Sequence, residues 1–297
     1  MSYSTVCDAE EAGRLKGTAR SGKSQSGAEQ ELFWSPNDFK FDDKSDAVTL
    51  SEWNTAVAAG NLYYIGVIEE FDSNDTEPTY YESPNGNLRL KTANAKRVRQ
   101  YRLVECACTH ANLLSFDAQN GRLFMRTSKG YLKARIEDDG TVRGFKTTQF
   151  DVGLRTAATS DTPGFTPIDV TFETPFDDDK DIFEDVIDFE FSQVDQIFNA
   201  EFAISSVASN GSNLTFTLTA TKDCSNVALS GLTTSHVIFK DANGAELSTV
   251  SMPETGSTGV YSVDITTAET VAFVEIDGVQ TVSSINYVSG QYKASTA

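Results

Sequence analysis

The sequence predicts a mainly β protein with two domains: a β-sandwich or barrel with one or two short helices, followed by an immunoglobulin-like β-sandwich. Its 297 residues are enough for about two domains. Short segments of alternating apolar and polar residues, separated by turn dipeptides, recur along the chain. Composition changes near residue 200, because residues 201–297 hold 29 Ser and Thr, no Trp and only 3 of the 24 Lys and Arg. We therefore predict domains at 1–200 and 201–297.

The N-terminal domain begins with a predicted flexible arm over residues 1–30, which is rich in Gly and Ser. A helix is predicted at 50–59, where Thr49 and Glu52 fit a capping box and Gly60 fits a stop. A strand at 62–70 then leads into a long polar loop. Loops of that length in compact domains are usually functional or disordered.

The rest of this domain alternates between strands and one further helix. The predicted helix covers 110–118, with Thr109 as its cap and Asn120-Gly121 as its end. The predicted strands lie at 98–108, 122–126, 131–136, 142–150, 168–173 and 182–191, and a short helical turn is predicted within 192–198.

The C-terminal domain shows seven predicted strands in fewer than 100 residues, which is typical of an immunoglobulin-like sandwich. They lie at 202–208, 214–221, 236–240, 247–252, 259–266, 271–276 and 279–287. Tight turns are predicted at Asn210-Gly211, Asn243-Gly244 and Asp277-Gly278. Because no Cys-Trp-Cys pin is present, we expect a bacterial or viral variant of the sandwich.

Composition and motifs argue against several classes of function. The net charge of −19 disfavours a protein that grips nucleic acid by neutralising phosphates. No stretch approaches 18 apolar residues, so we expect no membrane span. HExxH, GxSxG and GxxxxGK[ST] are absent, which predicts no enzyme and no cofactor. A carboxylate pair for glycoside hydrolysis stays open only because 43 acids always offer some pair.

Two clusters have metal-ligating residue types. If extended, Cys106, Cys108 and His110 share one face and could begin a zinc site, but no fourth ligand is evident. The alternative is two small core residues on a strand that enters a helix. Asp177, Asp179 and Asp181 alternate as in a calcium loop, but Gly is missing at the sixth position and Glu at the twelfth. A solvated acidic loop is the alternative, and we predict no metal site.

Charge is segregated along the N-terminal domain. A basic run over 89–102 contains no acid and comprises Arg89, Lys91, Lys96, Arg97, Arg99 and Arg102. An acidic run over 177–190 includes Asp177, Asp178, Asp179, Asp181, Glu184 and Asp185. In a monomer these runs could be solvated or could pair with each other. In a homo-oligomer the basic run of one subunit could meet the acidic run of the next, which is the interpretation we favour.

Three segments carry a family resemblance: residues 80–91, 108–153 and 166–179. They contain a Pro-Asn-Gly turn after paired Tyr, a helix that ends in an aromatic before a Gly, a "GYL…DGTVRGF" hairpin, and a strand that leads into an acidic loop. In pattern and order, over about 100 residues, the chain resembles virion structural proteins of tailed bacteriophages, in particular major tail tube proteins.

The resemblance implies a protein that assembles with itself into stacked rings and meets other virion proteins. It implies an acidic lumen that repels DNA, so that DNA passes during ejection without sticking. It also implies assembly in the host cytoplasm, location in the virion tail, and contact with a neighbouring subunit through loop 72–88, with Pro78, Tyr80, Tyr81 and Pro84. Head-decoration, collar and tail-completion proteins are alternatives, as is a protein that binds carbohydrate or the host surface through the immunoglobulin-like domain.

Overall fold

The computed structural model describes residues 27–84, 88–173, 181–267 and 269–295. The chain is mainly β, as predicted. It divides into two compact units, one ending at Val194 and one beginning at Asp195, with residues 57–60 assigned to the second. Of the predicted flexible arm only residues 27–30 are described, and Glu29 already begins the first strand. Within the described ranges, no helix is long and apolar enough to cross a membrane.

The first unit contains short helices among many strands. The helices are α1 (Lys44–Ala47), α2 (Leu50–Ala58) and α3 (Ala107–Leu113), and single 3-10 turns lie at Leu114–Phe116 and Phe191–Gln193. The strands are β1 (Glu29–Ser35), β2 (Tyr63–Val67), β3 (Glu70–Ser73), β4 (Thr79–Glu82), β5 (Arg89–Ala93), β6 (Val98–Leu103), β7 (Arg122–Thr127), β8 (Tyr131–Ile136), β9 (Val142–Arg143), β10 (Phe145–Val152), β11 (Thr166–Phe172) and β12 (Ile182–Val186).

These strands form one large sheet and one separate ribbon. The path of the large sheet is β12-β8-β7-β10-β11-β6-β3, with β1 against β2 and β7 and with β9 against β8. Strand β10 leaves β7 for β11 at an irregularity between Thr147 and Gln149, which allows the sheet to bend. Among the described strands, β4 and β5 pair only with each other. The predicted "GYL…DGTVRGF" hairpin is confirmed as β8 and β9.

Strand β1 is buried on both faces, so it shows no alternation and was not predicted from the sequence. Leu32 and Trp34 pack into a core with alternate residues of β6, β10 and β11. Phe33, on the opposite face, contacts Trp53 and Phe191 with ring centroids 5.3 and 5.0 Å apart. The strand therefore contributes side chains to two separate groups of buried residues, one on each of its faces.

Helix α2 confirms the prediction for residues 50–59. Trp53, Ala56 and Val57 are buried on one face, at the spacing of an amphipathic helix. The carbonyl of Thr49 accepts the first helical hydrogen bonds, and Gly60 ends the helix with a φ of 73°.

A buried carboxylate ties β1 to the end of the unit. Glu31 is 3% exposed and accepts a hydrogen bond from Arg126 Nη1 at 2.8 Å. It also accepts the backbone N–H groups of Phe191 and Ser192, each at 3.2 Å. Burial and the Glu31 charge raise the pKa of Tyr64, whose hydroxyl donates to the same carboxylate. These donors stabilise the charge in place of water.

The second unit is a sandwich of two sheets that share one core. Its strands are β13 (Ile197–Ser209), β14 (Asn213–Lys222), β15 (Val227–Ala228), β16 (Val237–Lys240), β17 (Ser248–Ser251), β18 (Val260–Thr266), β19 (Val271–Ile276), β20 (Gln280–Val282), β21 (Ile285–Ser289) and β22 (Tyr292–Ser295). The larger sheet has the order β17-β18-β14-β13-β21-β20, with β15 on β14, and the smaller sheet has the order β16-β19-β22. The immunoglobulin-like assignment stays a prediction.

Fewer strands were predicted for this unit than the structure contains. Strands β15 and β22 were not predicted, and the single strand expected at 279–287 is the hairpin β20–β21. Its turn is Ser283-Ser284, with φ angles of 52° and 65°. Left-handed turns usually contain Asn or Gly, so two serines gave no turn signal. The predicted turns at Gly211, Gly244 and Gly278 are confirmed by their left-handed glycines.

Candidate functional site

The segment predicted as a long loop at 72–88 is instead part of a two-stranded ribbon, which we define as residues 70–102. At its base β3 pairs with β6, from Glu70 opposite Arg102 to Ser73 opposite Arg99. The pairing continues through a bridge between Thr76 and Lys96. It then becomes the β4–β5 pair. Residues 85–87 lie outside the described ranges.

Asp75 fixes the base of the ribbon. Its carboxylate accepts hydrogen bonds from Arg97 Nη1 and Arg99 Nη1, both at 2.7 Å, and from the backbone N–H of Val98 at 2.9 Å. Burial raises the pKa of Asp75, but the hydrogen bonds from Arg97, Val98 and Ser73 and the charge of Arg99 outweigh it, so the pKa is lowered. Arg99 is only 6% exposed. These ion pairs therefore hold the two strands of the ribbon together where the ribbon leaves the large sheet.

Beyond this base, every residue of β4 and β5 is exposed. Tyr81 lies opposite Leu90, and Leu88 follows on the same face, because Ser83 and Leu88 continue the pairing. We call Tyr81, Leu88 and Leu90 the apolar face of the ribbon. Tyr81 and Leu90 are each 51% exposed and Leu88 is 47% exposed.

The opposite face of the ribbon is charged. The Arg89 guanidinium lies 4.1 Å from the ring centroid of Tyr80, and its Nε is 3.1 Å from the Glu82 carboxylate. Lys91 stands opposite Tyr80 on this face. The outer part of the ribbon, β4 and β5, is therefore amphipathic although all of its residues are exposed. An isolated two-stranded ribbon is only marginally stable in water, and exposed aromatic and aliphatic side chains on a fixed scaffold are typical of interfaces.

Of the predicted loop residues, Tyr81 lies on the apolar face and Tyr80 on the charged face. Pro78 precedes β4, and Pro84 lies beside the tip. Leu88 and Leu90 were not predicted as a strand face from the sequence. The alternation Leu-Arg-Leu-Lys over 88–91 is the signal that would have found them.

The predicted basic run finds most of its counter-ions within the ribbon itself. Arg102 pairs with Glu70 and Asp72, Arg97 and Arg99 pair with Asp75, and Arg89 pairs with Glu82. Lys91 and Lys96 make no ion pair with any described residue. The segment that was expected to be a polar loop thus supplies three of these acids, Asp72, Asp75 and Glu82.

The acidic run also has partners in its own chain. Asp181 lies 3.4 Å from Arg135, and Glu184 lies 3.6 Å from Lys133, across the β12–β8 pair. Asp185 accepts the N–H of Val186. Asp177, Asp178 and Asp179 lie outside the described residues. Two of the three aspartates considered for a calcium loop, Asp177 and Asp179, are therefore not described. Contact between the two runs across a subunit boundary stays a prediction.

The extended strand that would place Cys106, Cys108 and His110 on one face for a zinc site is wrong. Strand β6 ends at Leu103, and Cys106 caps α3, which already begins at Ala107. Cys108 and His110 therefore lie on a helix, and the shared strand face does not exist. His110 Nδ1 is 3.1 Å from the Thr166 hydroxyl. A hydrogen bond from Thr109 to Cys106 lowers the pKa of that thiol. The expected cap at Thr109 fails because Cys106 fills that position.

Comparison of the sequence with protein-family models finds no matching family, and comparison with curated proteins finds no matching relative.

Proposed function

We propose that this chain is a structural virion protein that assembles with itself into rings, of the kind that stack into a phage tail tube. The observation that supports this function most directly is the apolar face of the ribbon. Tyr81, Leu88 and Leu90 stand about half exposed, on or beside two strands whose residues are all exposed.

The occupant of this face is best supplied by a second copy of the chain. The base of the ribbon is fixed by Asp75, so its outer part is presented with little loss of entropy on binding. On its charged face Arg89 is paired with Glu82, whereas Lys91 makes no ion pair with a described residue, in a chain with a net charge of −19. Cations on an arm suit the acidic surface of another copy.

The net charge also suits a DNA conduit. A ring of such subunits multiplies the negative charge, and like charges repel the phosphate chain instead of binding it. We propose that DNA passes the assembly without sticking to it. The second unit, which we propose to be immunoglobulin-like, would decorate the assembly from outside.

The matched test uses the two neighbouring tyrosines of β4. Tyr81→Ser removes the aromatic from the apolar face, and Tyr80→Ser removes one of similar exposure, 44% against 51%, from the charged face. Central aromatic anchors typically contribute more than about 1 kcal/mol to an interface. We expect Tyr81→Ser to raise the concentration needed for assembly about tenfold or more and Tyr80→Ser to leave it nearly unchanged.

Sedimentation velocity and negative-stain images of the purified full chain would give this concentration, with far-UV circular dichroism as the check on folding. Rings or tubes that form equally well from Tyr81→Ser would contradict the role of the ribbon. A wild-type chain that stays monomeric at all concentrations would contradict the structural function and favour a surface-binding protein.

A further inference from the structure

Leu154 is the most exposed large apolar side chain among the described residues, at 88%. It lies in the segment 153–165, which connects β10 to β11 and is exposed at every position from 154 to 163. The base of the segment is closed by Thr156 and Phe165, which exchange backbone hydrogen bonds of 2.8 and 3.2 Å. Connections of this length in a compact domain usually have a function.

A second apolar side chain lies beside Leu154. The Nε of Arg155 donates to the carbonyl of Glu105 at 3.3 Å, so the segment is joined to the chain just beyond β6. Val104, which precedes Glu105 as Leu154 precedes Arg155, is 42% exposed. We call Leu154 and Val104 the Leu154 patch. Its backbone is held by a hydrogen bond, so little entropy is lost when it binds a partner.

The Leu154 patch and the outer part of the ribbon leave opposite ends of β6. The segment 153–165 lies at the end of β6 where Leu103 pairs with Thr166, the first residue of β11. The outer part of the ribbon continues from the other end, where the N–H of Asn74 donates to the carbonyl of Val98 at 2.9 Å. The first unit therefore presents two different exposed apolar surfaces at the two ends of one strand.

The charges near these two surfaces are complementary. Residues 76–96, which include the outer part of the ribbon, hold three basic residues and two acids. The segment 153–165 together with Glu105 holds two acids and one base. The carboxylate of Glu105 makes no ion pair with a described residue. Opposite charge on two surfaces favours their encounter over the encounter of either surface with itself.

We propose that the apolar face of the ribbon of one copy binds the Leu154 patch of the next copy, an inference that rests on the proposed function. The contact removes Tyr81, Leu90 and Leu154 from water together. Because the two surfaces differ and lie at opposite ends of β6, the contact is heterologous. Each bound copy leaves one ribbon or one patch free for a further copy, so the contact builds rings or stacks.

Substitution tests the patch independently of the ribbon. Leu154→Ser should raise the concentration needed for assembly about tenfold or more, because it removes the apolar side chain that receives the ribbon. Val186→Ser is the matched control, since it removes a side chain that is 50% exposed from β12, at the other edge of the large sheet. It should leave this concentration nearly unchanged. Sedimentation velocity gives the concentration, and far-UV circular dichroism checks folding.

Crosslinking tests which surfaces meet. Cys106 is an exposed free thiol at the same end of β6 as the Leu154 patch. Ser83→Cys adds a thiol to the apolar face of the ribbon, because Ser83 pairs with Leu88. With a short bis-maleimide reagent, assembled Ser83→Cys should give a ladder of covalent oligomers on a denaturing gel. Lys91→Cys, on the charged face, is the matched control and should give far less.

The ladder should disappear when Cys106→Ser is combined with Ser83→Cys. A single dimer band that survives this change would show that ribbons bind each other, and it would overturn the proposal. Assembly of Leu154→Ser at the wild-type concentration, while Tyr81→Ser assembles poorly, would also overturn it and would leave the proposed function intact. A wild-type chain that stays monomeric would contradict the proposed function itself.

Discussion

The position of the ribbon depends on Asp75, because its carboxylate joins the two halves of the ribbon, residues 70–75 and 97–102. It receives two guanidinium groups and a backbone N–H, and one of those guanidinium groups belongs to the buried Arg99. Removing one partner from such a pair leaves a buried charge without its counter-charge, which costs more than the pair itself contributes.

We therefore expect Asp75→Asn to loosen the ribbon. Amide hydrogen exchange in β4 and β5 should accelerate about tenfold or more, since a charged hydrogen bond contributes about 1.5–3 kcal/mol. Asp72→Asn is the control, because Asp72 is half exposed and lies 3.3 Å from Arg102. Equal exchange in the two variants, measured by mass spectrometry, would show that Asp75 does not hold the base.

The same carboxylate gives the ribbon a pH dependence. Its pKa is lowered in the folded chain, so its stabilisation is present above the unfolded value near 4 and is lost as the pH falls through the native pKa. Acid should therefore loosen the wild-type ribbon, and Asp75→Asn should lack this response.

Arg97 and Arg99 show what the sequence could predict at this scale. The run of basic residues is visible in the sequence, but its counter-ions depend on strand register, which places Asp75 beside both arginines. Charge reversal of Arg97 and Arg99 would now break the ribbon as well as any contact between subunits. Lys91 and Lys96 make no ion pair with a described residue, so their substitution tests the predicted contact without breaking an ion pair of the ribbon.

At the scale of elements, the turn between β20 and β21 carries avoidable strain. Ser283 and Ser284 both have left-handed φ angles, a conformation that costs most residues about 1 kcal/mol and glycine almost nothing. Ser284→Gly should therefore stabilise the second unit by about 0.5–1 kcal/mol.

Calorimetry of the full chain would show this as a higher unfolding midpoint for the transition of the second unit. Ser262→Gly is the control, because Ser262 lies within strand β18, where glycine weakens the strand. It should lower the midpoint. If the unfolding midpoint of the second unit in Ser284→Gly is no higher than in the wild type, the turn is not strained.

Two elements explain where the sequence analysis failed. Strands with one buried face alternate, and β8 and β11 were predicted close to their true bounds. Strand β1 is buried on both faces, and β4 is exposed on both faces, so neither has the two-residue period. A two-residue alternation of apolar and polar residues arises only when one face of a strand is buried. A strand that is paired through its backbone but buried on both faces or on neither shows no alternation in the sequence.

At the scale of the whole molecule, the net charge of −19 opposes assembly of identical copies. Salt screens this repulsion, with a Debye length of about 10 Å at 0.1 M and about 3 Å at 1 M. An interface that depends on the apolar face of the ribbon loses little by screening. We therefore expect sodium chloride to promote assembly over this range, as measured by sedimentation velocity.

A decrease in assembly on addition of salt would identify a different interface. If the basic run of one copy met the acidic run of the next, screening would weaken the contact, and added salt would dissociate the assembly. Salt-induced dissociation would therefore favour the charged runs over the ribbon.

The bonds from Glu31 to Phe191 and Ser192 have a consequence for the order of events during synthesis. Partners 160 and 161 positions apart give the first unit a high contact order, which slows folding. Its first strand cannot complete these contacts until residue 192 has left the ribosome. Until then β1, with its apolar residues on two faces, is exposed to misassociation with other nascent chains. At the translation rate of about 5–20 residues per second, that interval lasts roughly ten to thirty seconds, and a chaperone that holds nascent chains would act during it.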